Sequence, residues 1–365
     1  MRIVFYYGSI QNGGAERVIT TLANSLTQRG DKVSIIVTDN GESGYYLDPS
    51  VKVVGLNSQH ISKNLREAFG AFRKNVKNVR SQMEILKPDV VLAFDPQLAA
   101  VAHISCRSMP GIKVIGSERS NPYKARTGWK SKLFVKISTN LDGFIFQTVG
   151  AKSFYPQKTQ NGSAVIPNGI FGMLPERIPG YGERGEWTIC ASGRIDKVKR
   201  YDLMVDAMEQ VVRKHPSAVL DIYGEGNYRK ELDEYISKKG LQKSVILKGR
   251  TRCMMDELVR HRIFVLSSDH EGMPNGLIEA MACGCACVST DCQFGPSELI
   301  RDYENGRLVP VGNSDALTEV INDLLENPDN AAKIAENARK ISKTHSQEKI
   351  ADMYRDYIKR IIGVN

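Results

Sequence analysis

The chain has 365 residues, enough for two α/β domains with full cores, and its apolar (41%), aromatic (7%) and charged (25%) fractions are those of an ordinary globular protein. No run of eighteen or more apolar residues occurs, which argues against a transmembrane helix. The net charge of +9 is lopsided: residues 1–170 hold 22 Lys and Arg against 11 Asp and Glu, leaving 28 against 30 in the remainder. No aromatic-basic interleaving or recognition motif accompanies that excess, so nucleic acid is a poor partner. An anionic membrane surface or a phosphate-bearing acceptor fits it better. The seven cysteines are odd in number and clustered among apolar residues, which argues against a disulfide framework. Cys283, Cys285 and Cys287 alternate along a helix end and a strand start and do not readily converge on one ion, so they read as small buried hydrophobes.

The first residues, Met-Arg-Ile-Val-Phe-Tyr-Tyr, read as a strand running into a glycine turn, without a signal-peptide cleavage pattern; the expected location is the cytoplasm. Strands are predicted at Ile3–Tyr7, Lys32–Thr38, Val51–Leu56, Val90–Phe94, Lys113–Ser117 and near Phe144–Gln147, with helices over Gly14–Arg29 and 61–87. This βαβα alternation means a parallel, doubly wound sheet. Within 61–87, Leu65, Phe69, Phe72, Val76, Val79, Met83 and Leu86 form a core stripe, and Arg66, Arg73, Lys77 and Arg80 lie on a neighbouring one. A second basic stretch, Lys124–Lys136, mixes Arg126, Lys130, Lys132 and Lys136 with Trp129, Leu133 and Phe134. It has the pattern of a helix resting on an anionic leaflet, or simply of a solvated face. Residues 169–186, rich in Pro, Gly and charge, read as a linker between a first domain of residues 1–168 and a second of 187–345. In the second series, Asp315–Leu325 and Ala331–Ile341 are amphipathic helices, and Ser346–Ile362 is helical.

The most telling stretch is Glu271-Gly272-Met273-Pro274-Asn275-Gly-Leu-Ile-Glu279. It follows the apolar run Ile263–Leu266, a buried parallel strand, and opens a small-residue helix in which Pro274 suits the first turn. A helix start offers unsatisfied amides and partial positive charge to an anion. Glu279, about one turn in, can reach hydroxyls beside a bound phosphate. Ser192-Gly-Arg194 ends the first strand of the second domain, where open α/β sheets place their ligands, and Lys199 follows five residues later. Two cations facing amides can hold a diphosphate; a solvated basic loop is the plainer reading. No Asp-x-Asp occurs anywhere, so no metal is expected. Gly13-Gly14 open the first helix, but the pattern departs from Gly-x-Gly-x-x-Gly and lacks the acidic ribose partner, which argues against a dehydrogenase.

Glu–x7–Glu after a buried strand resembles the signature of the retaining family-4 glycosyltransferases. Further stations follow in order: Asn12–Val18, Val165–Gly169, Ser192-Gly-Arg194 with Lys199, Tyr223-Gly-Glu-Gly226, Asp291–Glu298 and Glu304–Val309. The resemblance spans more than three hundred residues, and its Ser117-Glu-Arg119 segment is similar to bacterial enzymes that add N-acetylhexosamines to undecaprenyl-diphosphate glycans. It implies the GT-B fold, two doubly wound Rossmann-like domains facing a cleft, with residues 346–365 crossing back to the first domain. It implies a UDP-sugar donor held by Gly14, Arg194, Lys199, Arg250, Glu271, Gly272, Met273, Pro274, Asn275 and Glu279. In that scheme Glu271 meets the hexose, Glu279 the ribose, and Arg194 and Lys199 the diphosphate in place of a metal. Where relatives carry a histidine this chain has Arg119, or Glu118 with the motif shifted by one; His103 reads as structural. Arg194, Lys199, Glu271 and Arg119 are thus the catalytic candidates. Arg66, Arg73, Lys77, Arg80, Trp129 and Lys130 are candidates for contact with a glycan or polyprenyl-diphosphate acceptor and the inner face of the cell membrane. A nucleotide-sugar epimerase or hydrolase of the same fold and a non-catalytic glycan-binding protein are the alternatives.

Overall fold

The computed structural model of the protein describes residues 1–11, 13–58 and 65–364. Asn12 and residues 61–64 of the expected helix lie outside that set, as do the side chains of Leu65, Arg66, Ala68, Phe69 and Lys130. The chain divides into two compact units: Met1–Gly169 with Gln347–Asn365, and Ile170–Ser346.

In the first unit, β1 (Arg2–Tyr7), β2 (Lys32–Val37), β3 (Lys52–Gly55), β4 (Val90–Ala93), β5 (Lys113–Glu118), β6 (Gly143–Phe146) and β7 (Ser163–Val165) form one parallel sheet in the order β3-β2-β1-β4-β5-β6-β7. The central strands are apolar on both faces because helices cover both, as the fully buried Val90–Ala93 shows. Val79 and Met83 of the helix Leu65–Leu86 are buried against that sheet, with Phe72, Val76 and Leu86 packed beside them. The strand β7 has no counterpart in the sequence reading: three half-buried residues at a sheet edge leave no periodic signal. The C-terminal helix Gln347–Ile362 is anchored on this unit by Tyr357, whose hydroxyl accepts from the Phe144 N–H (2.8 Å) and donates to the Gly162 carbonyl (2.6 Å). Arg355–Asp31 (2.8 Å) and Arg29–Asp352 (2.9 Å) ion pairs flank it.

The second unit repeats the order as β10-β9-β8-β11-β12-β13, built from β8 (Thr188–Ser192), β9 (Val219–Tyr223), β10 (Val245–Gly249), β11 (Ile263–Leu266), β12 (Ala286–Thr290) and β13 (Arg307–Val309). In each sheet the winding reverses between the first and fourth strands, β1/β4 and β8/β11, and there the loops after the strands diverge to leave a crevice.

Two stretches differ from their sequence reading. Residues 170–186, read as a linker, pack onto the second unit. Ile170 and Phe171 are buried, and the buried Arg184 donates to the carbonyls of Cys283 (2.7 Å) and His261 (3.0 Å). A few apolar anchors and one arginine order a segment whose composition resembles a loop. The stretch Lys124–Lys136 is not one helix but two, Pro122–Ala125 and Trp129–Ile137, and Arg126 between them turns inward. All seven cysteines are free, and all but Cys253 are buried.

Candidate active site

The second unit's switch point is assembled from the residue types the sequence placed there. β8 ends at Ser192, and Gly193 (φ 147°) turns the chain toward Arg194. Gly224 follows β9 so closely that a Cβ on it would stand 1.9 Å from the Gly193 carbonyl oxygen; the Tyr223-Gly-Glu-Gly226 motif therefore supports the loop that bears the cations. Asp196 caps the short turn Lys197–Lys199, accepting from the N–H groups of Val198 (3.1 Å) and Lys199 (3.2 Å), while its other oxygen accepts from Arg194 Nε at 2.7 Å.

The loop after β11 is stitched to this one. Ser267 Oγ donates to the carbonyls of Lys199 (2.7 Å) and Arg200 (2.8 Å), and the Asp269 N–H donates to the Val198 carbonyl (2.9 Å). Arg200, left-handed at φ 50°, pairs with Asp202 and Asp269. Lys199 Nζ donates to Glu271 Oε1 at 2.6 Å, and Ser268 Oγ donates to the same oxygen at 2.6 Å. The Lys199 and Glu271 side chains are 19% and 12% exposed, whereas Arg194 is 77% exposed. The carboxylate is felt nearby: burial first, then the charge of Glu271, push the Cys292 thiol up to about 12 and raise the Tyr201 phenol well above its ordinary value.

The helix Asn275–Ala282 begins beside these groups, and its N-cap residue, Pro274, makes no side-chain capping bond. Gly276 lets it approach β8, since a Cβ there would lie 2.7 Å from Ser192 Oγ. Pro274 stands at the N-cap, one residue before the first-turn position expected of it. Glu279 is the fifth helical residue and is buried. Met273 and Pro274 are buried too, and Met273 packs in the core beside Leu277. Arg250 is exposed just past β10. Arg194, Lys199 and Glu271 are thus gathered around the loops after β8 and β11.

The other catalytic candidate lies in the first unit. Arg119 donates from its two terminal nitrogens to Tyr354 Oη (3.0 Å) and Asn168 Oδ1 (2.6 Å), and its guanidinium sits 5.4 Å from the Phe94 ring centroid. Glu118 beside it is fully buried. Its carboxylate accepts from Arg126 Nε (2.8 Å), Tyr155 Oη (2.7 Å), Ser120 Oγ (2.7 Å) and the Arg119 N–H (3.1 Å). Burial works against the charge on Arg126, and the Glu118 carboxylate outweighs it, raising the arginine further above its ordinary value. Gly14 is exposed at the start of the helix Gly14–Gln28, after Gly13 at φ 151°. His103 is half-buried within the helix Pro96–Cys106.

Of the acceptor and membrane candidates, Arg73, Lys77 and Arg80 are exposed along one helix, where Arg80 already bonds Glu84 (3.4 Å) and Ser108 (2.6 Å). Trp129 is 67% exposed, with Leu133 exposed one helical turn on. Among the described residues no helix is long and apolar enough to cross a membrane. The sequence reading missed Asp196, Ser268, Asn168 and Tyr354. Only Asp196 carried a local signal, an acid placed to cap the turn that follows it.

The family model described as Glycosyltransferase Family 4 matches residues 12–170, and that described as Glycosyl transferases group 1 matches residues 178–341. A Campylobacter jejuni protein is 33% identical over 387 residues, covering 99% of both chains. It is named N-acetylgalactosamine-N,N'-diacetylbacillosaminyl-diphospho-undecaprenol 4-alpha-N-acetylgalactosaminyltransferase. Two longer relatives are spanned for only about a third of their length (36% and 33%). Among solved structures, Anabaena HepE in complex with UDP and glucose superposes with a TM-score of 0.79 at 19% identity, over 98% of this chain and 99% of that one. TarM superposes with a TM-score of 0.78 at 17% identity over the same shares. At those identities the likeness speaks for the fold, which is GT-B. Matched in both halves in chain order, and a third identical to one relative from end to end, the chain belongs to the family-4, group 1 glycosyltransferases.

Proposed function

We propose that this glycosyltransferase moves a sugar, an N-acetylhexosamine or hexose, from a UDP-sugar to a lipid-linked or saccharide acceptor in bacterial surface polysaccharide or glycan synthesis, with retention at the anomeric carbon. One observation carries the reading: Lys199 and Glu271 meet at the second unit's switch point, across the loops after β8 and β11, and Arg194 stands on the same β8 loop, paired with Asp196. Cleavage of the glycosyl–oxygen bond leaves negative charge on the diphosphate, and preorganised cations and amides stabilise that charge without a metal. Glu271 would hold the hexose and Glu279 the ribose. No sequence motif marks a second carboxylate for the opposite sugar face, and as in related retaining enzymes the acceptor hydroxyl attacks on the face the diphosphate leaves. Its proton passes to the departing phosphate oxygen. That step stands on family analogy.

The C. jejuni relative's name specifies a diphospho-undecaprenol acceptor, and a polyprenyl-diphosphate acceptor is proposed here on that likeness. The positive excess of residues 1–170, with exposed Trp129 and Leu133, supports peripheral contact with the inner face of the cell membrane. The test is transfer from UDP-sugars to a polyprenyl-diphosphate glycan in excess EDTA, with the product's anomeric configuration read by NMR. Undiminished transfer with retained configuration is expected. Loss of activity restored by magnesium or manganese removes the metal-free clamp, and an inverted product removes same-face attack.

A further inference from the structure

Glu271 does not wait for a sugar; it holds Lys199. The ammonium and Ser268 both donate to Oε1, at 2.6 Å each, in a place where both charged side chains are largely shielded from water. Arg194 is likewise matched to Asp196. The two cations offered to a diphosphate are therefore balanced by two carboxylates. An incoming diphosphate has to take Lys199 from Glu271, and the carboxylate then needs other donors, because a partly buried acceptor that loses its charged partner costs free energy. A hexose supplies such donors in its hydroxyls. A nucleoside diphosphate without its sugar brings no hexose hydroxyls, and its ribose hydroxyls belong to the part of the ligand assigned to Glu279.

We infer that Glu271 is an internal competitor for Lys199 that makes the site discriminate against the nucleoside diphosphate product in favour of the intact donor. This rests on the reading that a diphosphate binds at Arg194 and Lys199. With donor bound, Glu271 passes from the ammonium to the hexose hydroxyls. Once the sugar has left, the carboxylate keeps Ser268 among the described residues, returns to Lys199 and loosens the product. The residue thereby determines specificity and release in addition to touching the sugar.

Calorimetric titration of UDP and of a UDP-sugar into the wild type and Glu271→Gln tests it. Gln keeps an oxygen for Ser268 and removes the charge that holds Lys199. UDP is expected to bind Glu271→Gln about tenfold more tightly than wild type, the scale of one freed, partly buried cation. UDP-sugar should bind no more tightly, so the preference for intact donor shrinks. In a Lys199→Met background the same change should leave UDP affinity unaltered, since the coupling belongs to the pair. Glu271→Asp, whose shorter carboxylate draws back from Lys199, is expected to shift UDP affinity in the same direction and serves where the Gln variant does not fold. Unchanged UDP affinity in folded Glu271 variants overturns the competition and leaves the diphosphate reading standing. A wild type that binds neither UDP nor UDP-sugar overturns both.

Discussion

The two units wind their sheets in the same order, yet their charged residues after the strands are set in different ways. In the first unit the buried Glu118 is gripped by Arg126, Tyr155 and Ser120, and Arg119 is tied to Asn168 and Tyr354. In the second, Lys199 and Arg194 each lean on one carboxylate, and Arg194 is mostly in solvent. A charge held from several sides inside the protein shapes a loop, whereas a charge with one nearby partner can exchange it for a ligand. On the proposed reading, topology supplied both places, and side-chain chemistry suits one to a scaffold and the other to ligand binding.

That contrast is broken most directly at its scaffold end. Glu118→Ala removes the partner of Arg126 Nε and leaves that guanidinium only its Asp95 pair (2.8 Å), so it should destabilise the first unit by about 3 kcal/mol, read as faster hydrogen exchange of the β4 and β5 amides. Arg194→Ala should change stability by no more than about 0.5 kcal/mol, as a surface substitution. Comparable losses in the two variants would erase the distinction. At the binding end, Glu279→Ala is expected to weaken UDP-sugar binding by roughly 1–3 kcal/mol, the cost of one lost polar partner, while turnover at saturating donor stays near wild type. A turnover collapse without loss of affinity would move Glu279 from donor binding to chemistry. The smallest effect is expected on the first unit's surface. Charge reversal at Arg73 and Lys77 should cost about 1 kcal/mol each in binding to anionic liposomes, measured by flotation, with nucleotide affinity unchanged. That binding should fade as salt rises, since exposed charges are screened within about 10 Å at 0.1 M. Wild-type protein that ignores such liposomes at low salt contradicts the membrane reading.

Much of this was legible in the sequence because parallel strands covered on both faces are written as apolar runs, such as Val90–Ala93 and Ile263–Leu266. The loops after them carry their chemistry in short motifs, so Arg194, Lys199, Glu271 and Glu279 could be placed at strand and helix ends. Pairings were not legible. Lys199 meets Glu271 across 72 residues and Arg119 meets Tyr354 across 235, distances at which no local pattern operates. Arg126 read as one more surface cation because its inward partner Glu118 sits on another element, β5. Met273 read as a pocket residue, although a methionine one turn before Leu277 also suits the core it joins.

The claim at the centre is that Arg194 and Lys199 stabilise the charge left on the donor when its glycosyl bond breaks. Single-turnover transfer at saturating UDP-sugar, with Arg194→Ala and Lys199→Ala checked for native folding by circular dichroism, measures that most directly. Each change should slow transfer by about 2–4 kcal/mol, or roughly thirtyfold to a thousandfold, the scale of one preorganised donor to a developing anion. Wild-type rates in either folded variant would contradict it.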